Sequence, residues 1–402
     1  MINIISDNTH VETTLRAIEK IIISKEAYLH PEISIIAVQG NLSVLSKLPP
    51  HSKKCLMTIP ASCLPAVEDF DIQEKDDIFF IKSCAKTVSQ THQRIQELIL
   101  QLYNETEKLK AHKRFSPWFV FQHQPQIVEQ LFKGRAKAPK MQKLYDFYQS
   151  SHWQSLLLES FLGTRVFNFK LNENTTNRQV LLPFIDSVNH HFYADNFKVQ
   201  PNTQTHQNEI SITNSKTQSD SDETFVKYNN FDTLDMYLLY NYFEPQAPFV
   251  RSIPLNISIP TIGTLEIESR IGLFYKNPLP PTIEDLRIVI PSILKNENKT
   301  LTVAHLLIPG PNMPIALRRV LRFLLQILAP NLDITVLFEH VLAAEQQVLR
   351  KNIAYYTETA SMLKVLLDNP SVSPEMIVLL QNVITTQLKK IDEYMQRLNI
   401  QI

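Results

Sequence analysis

Along the chain, the spacing of apolar positions switches between two periods. Ile33-Ser34-Ile35-Ile36-Ala37-Val38-Gln39-Gly40 and Cys55-Leu56-Met57-Thr58-Ile59-Pro60 are short β-rich runs with Pro49-Pro50 between them, and they predict strands. From about residue 85 to 165 the period lengthens. Ile95, Leu98, Ile99, Leu102 and Tyr103 recur at three- and four-residue steps, and Leu156, Leu157, Phe161 and Val166 repeat the pattern, so this stretch predicts helices. Strand character returns at Leu181-Leu182-Pro183-Phe184-Ile185. Residues 200–223 are polar and rich in Ser, Thr, Asn and Gln, which predicts a long exposed hairpin connection with one strand at Ile210-Ser211-Ile212. Thr224–Tyr228 predicts a further strand. Beyond about residue 300 the helical period takes over: Leu317, Val320, Leu321, Leu324 and Leu328 form a stripe, with Arg318, Arg319 and Arg322 on the other side. A long helix is expected over Ile334–Leu367. A last one should start at Ser373-Pro374-Glu375, where Ser can cap and Pro suits the first turn, with Met376, Leu380, Val383, Leu388, Ile391, Met395 and Leu398 on its buried side.

Strands, helices, strands and helices in that order predict an α+β protein that closes with a helical domain. The 402 residues suffice for two or three domains at about 100–200 residues each. Lys plus Arg and Asp plus Glu both total 40, so no net charge points to nucleic acid or an anionic membrane. Three cysteines (Cys55, Cys63, Cys84) are too few and too scattered for a disulfide framework, and suit a reducing compartment. The first residues lack a basic start and a cleavage site, and no uncharged apolar run approaches about 18 residues, so neither a signal peptide nor a membrane span is expected. Six glycines in the whole chain exclude a Walker loop and a GxGxxG fingerprint, because both need backbone that only glycine provides. HExxH, CxxC and GxSxG are absent, which removes the common zinc and hydrolase signatures. The most basic stretch, Lys133–Lys143, reads as a solvated loop.

One ordered set of segments goes further. Pro183-Phe184-Ile185-Asp186-Ser187-Val188-Asn189-His190 resembles the "P-x-x-D-x-x-N-H" segment of SET-domain methyltransferases related to the Rubisco large-subunit lysine methyltransferase. Upstream, Ser116-Pro117-Trp118 resembles that family's "S-x-W", and Thr164-Arg165-Val166-Phe167 its "S-R-x-F". Downstream, Phe225-Val226-Lys227-Tyr228-Asn229 is similar to "v-x-I-x-Y-G". Asp235 to Pro245 matches "E-L-x-L-x-Y-G-F-x-E-P" without a gap, and Tyr355-Tyr356-Thr357 resembles "Y-p-t" in the family's C-terminal domain. The resemblance spans roughly residues 30 to 400. It departs from the family pattern at three glycines, where this chain has Asn41, Asn229 and Asn241. Asn is the residue that best tolerates left-handed backbone after glycine, so the same backbone remains open at these positions, while close approach to a cofactor is put in question.

The resemblance implies a SET domain (1–90 and 179–250) interrupted by a helical insert (91–178), followed by an all-α substrate-binding domain (251–402). It implies S-adenosylmethionine as cofactor, held by Arg165, Asp186, Asn189 and His190 with backbone near Gly40; His191 has no assigned part. Tyr240 matches the family's catalytic tyrosine, and Tyr228 would line the same channel. A phenol with a pKa of about 10 is a poor base, so a hydroxyl aimed at the polarised methyl is the implied role. The implied reaction is methylation of a side-chain nitrogen of a protein substrate. Lysine is preferred over histidine, because the histidine-modifying branch replaces the tyrosine that Tyr240 keeps. Such an enzyme would be a cytoplasmic monomer, or an effector acting in a host cell, with no metal. The rival reading is a catalytically silent SET-fold module that binds a protein through its helical domain.

Overall fold

The computed structural model describes residues 1–49, 52–215, 222–367 and 372–401. The chain divides into two compact units, each built from two separated stretches: 1–114 with 154–229, and 115–153 with 230–402. Strands and helices occur in both, so the protein is α+β.

In the first unit, Asn3–Ser6 pairs parallel with Ile33–Val38, which turns back antiparallel into Asn41–Ser46. Gln39 and Gly40 form the turn, with φ of 51° and 74°. Two consecutive positive φ values give the hairpin turn that matches the right-handed twist of its strands. A Cβ on Gly40 would lie 2.7 Å from the carbonyl oxygen of Thr106, so the glycine is required by close approach as well as by the turn. The sequence expectations did not include the helix Thr9–Ser24, which Asn8 caps by accepting the His10 N–H. Its signal was present: Val11, Leu15, Ile18 and Ile22 are its buried stripe. Cys55–Pro60 is an inner strand of a four-stranded sheet, between Tyr28–Leu29 and Asn208–Thr213, with Lys198–Pro201 at the far edge. The expected polar connection is therefore a paired hairpin that buries Ile210 and Ile212. Pro50 and residues 216–221 lie outside the described residues. The stripe Ile95, Leu98, Ile99, Leu102 and Tyr103 is the buried face of the helix Gln90–Glu105.

In the second unit, the long helices are Ala316–Leu328, Ile334–Leu366 and Pro374–Arg397. Leu317, Val320, Leu321 and Leu324 are buried as their spacing predicts. Pro374 is the first residue of the last helix and Ser373 occupies the cap position, although its side chain makes no capping bond. Within 251–402 the helical expectation applies from Ala316 onward. Before it, Leu255–Ile259, Gly263–Ile267, Thr300–Val303 and Ile293–Glu297 form a four-stranded sheet. The alternation of buried Leu255, Ile257 and Ile259 with exposed Asn256 and Ser258 is the two-residue period of a half-buried strand.

The Lys133–Lys143 stretch departs from its reading as a solvated loop. Pro139–Gln149 is a helix, and Arg135 is only 1% exposed. Its guanidinium reaches Asp235 through Nε at 2.5 Å and Asp232 through Nη2 at 2.9 and 3.0 Å. Arg251, also fully buried, donates from Nε to the other oxygen of Asp235 at 2.9 Å and from its backbone N–H to Asp232 at 2.8 Å. Gln387 adds a further donor to Asp232. Asp232 and Asp235 are at once a capping box for the helix Thr233–Tyr240 and the counter-ions of two buried arginines.

Candidate cofactor site and its surroundings

Six of the seven residues singled out in the sequence fall in the first unit: Gly40, Arg165, Asp186, Asn189, His190 and Tyr228. Tyr240 falls in the second.

Asp186 is presented by a strained turn. Phe184 has φ 62° and ψ −41°, and the Ile185 N–H donates across it to the Pro183 carbonyl at 2.8 Å. This is the γ-turn form that a residue with a Cβ rarely adopts. It leads into the short 3-10 turn Ile185–Ser187 that carries Asp186. The Asp186 carboxylate accepts from the Tyr103 hydroxyl at 2.8 Å and pairs with Arg165 Nη1 at 3.5 Å. Burial raises the Asp186 pKa, against the opposing pull of Arg165. The Arg165 guanidinium lies over the rings of Phe161 (4.4 Å) and Tyr103 (5.2 Å), a cation–π arrangement that fixes its plane. Its Nε is buried and has no hydrogen-bond partner among the described residues.

The Asn-His pair forms a two-residue strand, parallel to Phe225–Val226. This pairing joins two of the segments that carry the resemblance. His190 is buried, and its Nδ1 accepts the backbone N–H of Tyr228 at 3.0 Å. An accepting Nδ1 assigns the ring proton to Nε2, which is buried without a partner among the described residues. Burial, opposed by the Val226 carbonyl, lowers the His190 pKa to about 4, so the ring is neutral at pH 7. The Tyr228 ring lies 5.1 Å from His190 and its hydroxyl donates to the Val188 carbonyl at 2.8 Å. Tyr228 also stacks on half-buried Phe197 at 6.2 Å. Tyr228 lies within electrostatic reach of both Arg165 and Tyr103, so the groups around Asp186 and those around His190 form one neighbourhood.

Asn189 is exposed, and its amide donates to Glu223 at 2.8 Å and to the Leu42 carbonyl at 3.4 Å. Its side chain therefore ties the pair to the strand Asn41–Ser46. His191 is buried beside Phe225, and its Nδ1 accepts the Tyr193 N–H. Gly40 has its own reason in the turn and at Thr106. Sequence reasoning missed the polar part of Tyr103. Its spacing marks Tyr103 as part of the apolar stripe, while its phenol, which needs a hydrogen-bond partner when buried, is the readable signal of a polar role.

In the second unit Tyr240 ends the helix Thr233–Tyr240, with its ring 5.5 Å from Phe231. Asn241 follows at φ 58° and ψ 28°, and its N–H closes onto the Tyr237 carbonyl. Of the three asparagines standing for family glycines, only Asn241 takes left-handed backbone; Asn41 and Asn229 do not. Asn241→Gly is accordingly expected to leave stability nearly unchanged. Asn241→Val should lose about 1–2 kcal/mol, read as a shift in the urea midpoint, and equal midpoints for the two variants would contradict this.

Among the described residues, no group of three or more His, Cys, Asp or Glu is placed to hold a metal ion, and no helix is long and apolar enough to cross a membrane. No protein-family profile and no curated protein matches the chain. Among solved structures it is similar to the SET domain of LSMT bound to methyl-lysine and AdoHcy, at 11% identity and a TM-score of 0.45, covering 95% of this chain and 90% of that one. It is also similar to that domain bound to lysine and AdoHcy (10% identity, TM-score 0.42, covering 96% and 92%). A third is Rubisco LSMT bound to AdoMet (12% identity, TM-score 0.41, covering 95% and 90%).

Proposed function

We propose that the protein is an S-adenosylmethionine-dependent methyltransferase acting on a side-chain nitrogen of a protein substrate, lysine in preference to histidine. The observation that carries this reading is a pair of unfilled donors. Arg165 Nε and His190 Nε2 are both buried and unbonded among the described residues, and both belong to segments that resemble the family's cofactor-holding motifs. Buried polar groups are almost always satisfied, and two orphan donors in one neighbourhood call for a ligand rich in acceptors. S-adenosylmethionine offers a carboxylate, ribose oxygens and purine nitrogens, which fits this donor set.

When bound, the cofactor supplies a methyl group already activated on a sulfonium. The chain's own residues bind and orient. Arg165 presents a cation to the carboxylate end, and Asp186 with Tyr103 holds that guanidinium in place. His190, kept neutral by burial, adds no positive charge to repel a sulfonium. Asn189 holds the pair against its neighbouring strand through Leu42. The hydroxyl role of Tyr240 follows from the resemblance alone.

The test is calorimetric titration of S-adenosylmethionine into the purified chain and an Arg165→Met variant. Saturable binding by the wild type is expected, with affinity about tenfold to a hundredfold weaker in the variant, the range for one charged hydrogen-bonding group. A folded wild type with no detectable binding would overturn the reading and leave the binding-module alternative.

A further inference from the structure

We propose that Lys108 is a second cation of this site and that, together with Arg165, it holds the α-carboxylate of S-adenosylmethionine. This rests on the methyltransferase reading above and adds a residue that no family segment in the sequence pointed to.

Lys108 is the first residue of the helix Lys108–Phe115 and is half-buried. Its ammonium has no hydrogen-bond or ion-pair partner among the described residues. The charged groups within its electrostatic reach are Arg165 and Asp186. Asp186 is already engaged, because the Tyr103 hydroxyl and Arg165 Nη1 both address its Oδ2. Two cations thus share one carboxylate, and one positive charge is left over in a partly desolvated place. Such a charge is costly unless a counter-ion fills it. Burial, reinforced by the neighbouring Arg165, lowers the Lys108 pKa to about 8, as expected of an ammonium lacking its anion.

A second, independent observation points the same way: Arg165 keeps a buried Nε–H with no acceptor. A carboxylate answers both needs. It can take an N–H from the planar guanidinium and a point charge from the ammonium. S-adenosylmethionine carries one such group, on its amino-acid end. The nucleoside 5′-methylthioadenosine lacks it and serves as the control.

The experiment titrates the full chain with S-adenosylhomocysteine and with 5′-methylthioadenosine, for the wild type, Lys108→Met and Lys108→Arg. Lys108→Met is expected to weaken the first ligand by about tenfold to a hundredfold and to leave the second within about twofold. Lys108→Arg should recover most of the loss. Without ligand, Lys108→Met should melt no lower than the wild type, since it removes an unpaired charge. Equal weakening of both ligands, no weakening of either, or a lower melting point would each refute the role of Lys108 while leaving the cofactor reading in place. A wild type that binds neither ligand would overturn the cofactor reading, and this inference with it.

Discussion

Asp235→Ala is expected to destabilise the second unit by about 3–5 kcal/mol, the range for breaking a buried ion pair from one side. Asp235 is 1% exposed and stands between two guanidiniums, with Arg135 on one oxygen and Arg251 on the other. Truncation would leave both arginines facing a single remaining carboxylate, Asp232, deep in the interior. It would also remove half of the capping box, because Asp235 accepts the Asp232 N–H at 3.1 Å. Urea unfolding followed by circular dichroism measures the effect, and a loss under about 1 kcal/mol would mean that the cluster is far better hydrated than its burial implies. The same residue sets an acid limit. Burial raises its pKa, but Arg135 and Arg251 outweigh burial and hold it at about 2. A carboxyl depressed on folding stabilises above its unfolded pKa of about 3.9, and that contribution is lost as pH falls toward 2.

Between pH 7 and 4 the protein is expected to lose about 3 kcal/mol through His190 alone. The imidazole falls from 6.5 to about 4 on folding, because burial disfavours the charged ring. Each tenfold change in proton affinity corresponds to about 1.4 kcal/mol. A base whose folded pKa is depressed binds fewer protons folded than unfolded, so stability is unaffected above pH 6.5 and declines as pH falls from 6.5 to 4. His305 adds to this with the same sign. It is fully buried, burial drives its pKa well below the ordinary value, and neighbouring Arg251 pushes the same way. Urea unfolding at pH 7, 5.5 and 4 should show His190→Gln losing less with acid than the wild type. A His190 ring whose NMR signals titrate near 6.5 in the folded protein would contradict the prediction directly.

The segments of the candidate site can be picked out in the sequence. The order of the segments around Arg165, Asp186, Asn189, His190, Tyr228 and Tyr240 marked the positions, and five of these six residues fall in the first unit. The structure adds a part in holding the fold for two of the residues singled out. Asn189 is exposed and ties strands together with its amide, and Gly40 is explained by its turn and by Thr106. Lys108 carried no signal, because a lysine opening a polar helix looks the same whatever charges face it across the fold. Its meaning depends on Asp186 and Arg165, which are far away in sequence.

The same distinction runs through the whole molecule. The sequence by itself determined the elements whose cause is local: the stripe of the helix Gln90–Glu105, the strand Cys55–Pro60, the stripe Leu317 to Leu324 and the final helix opened by Pro374. Each follows from side-chain period and capping chemistry within a few residues. Tertiary structure alone decided which polar groups go inside. Arg135 sits in the most basic stretch of the chain and would be solvated by any local rule, yet its partners Asp232 and Asp235 lie about a hundred residues away and bury it. The turn at Phe184 is likewise held in a strained conformation by the packing around it, since its own φ and ψ are unfavourable for a residue with a Cβ. Periodicity records how much apolar surface an element must hide. The pairing of buried charges is settled by long-range contacts, because only these supply the compensating charge that makes burial possible.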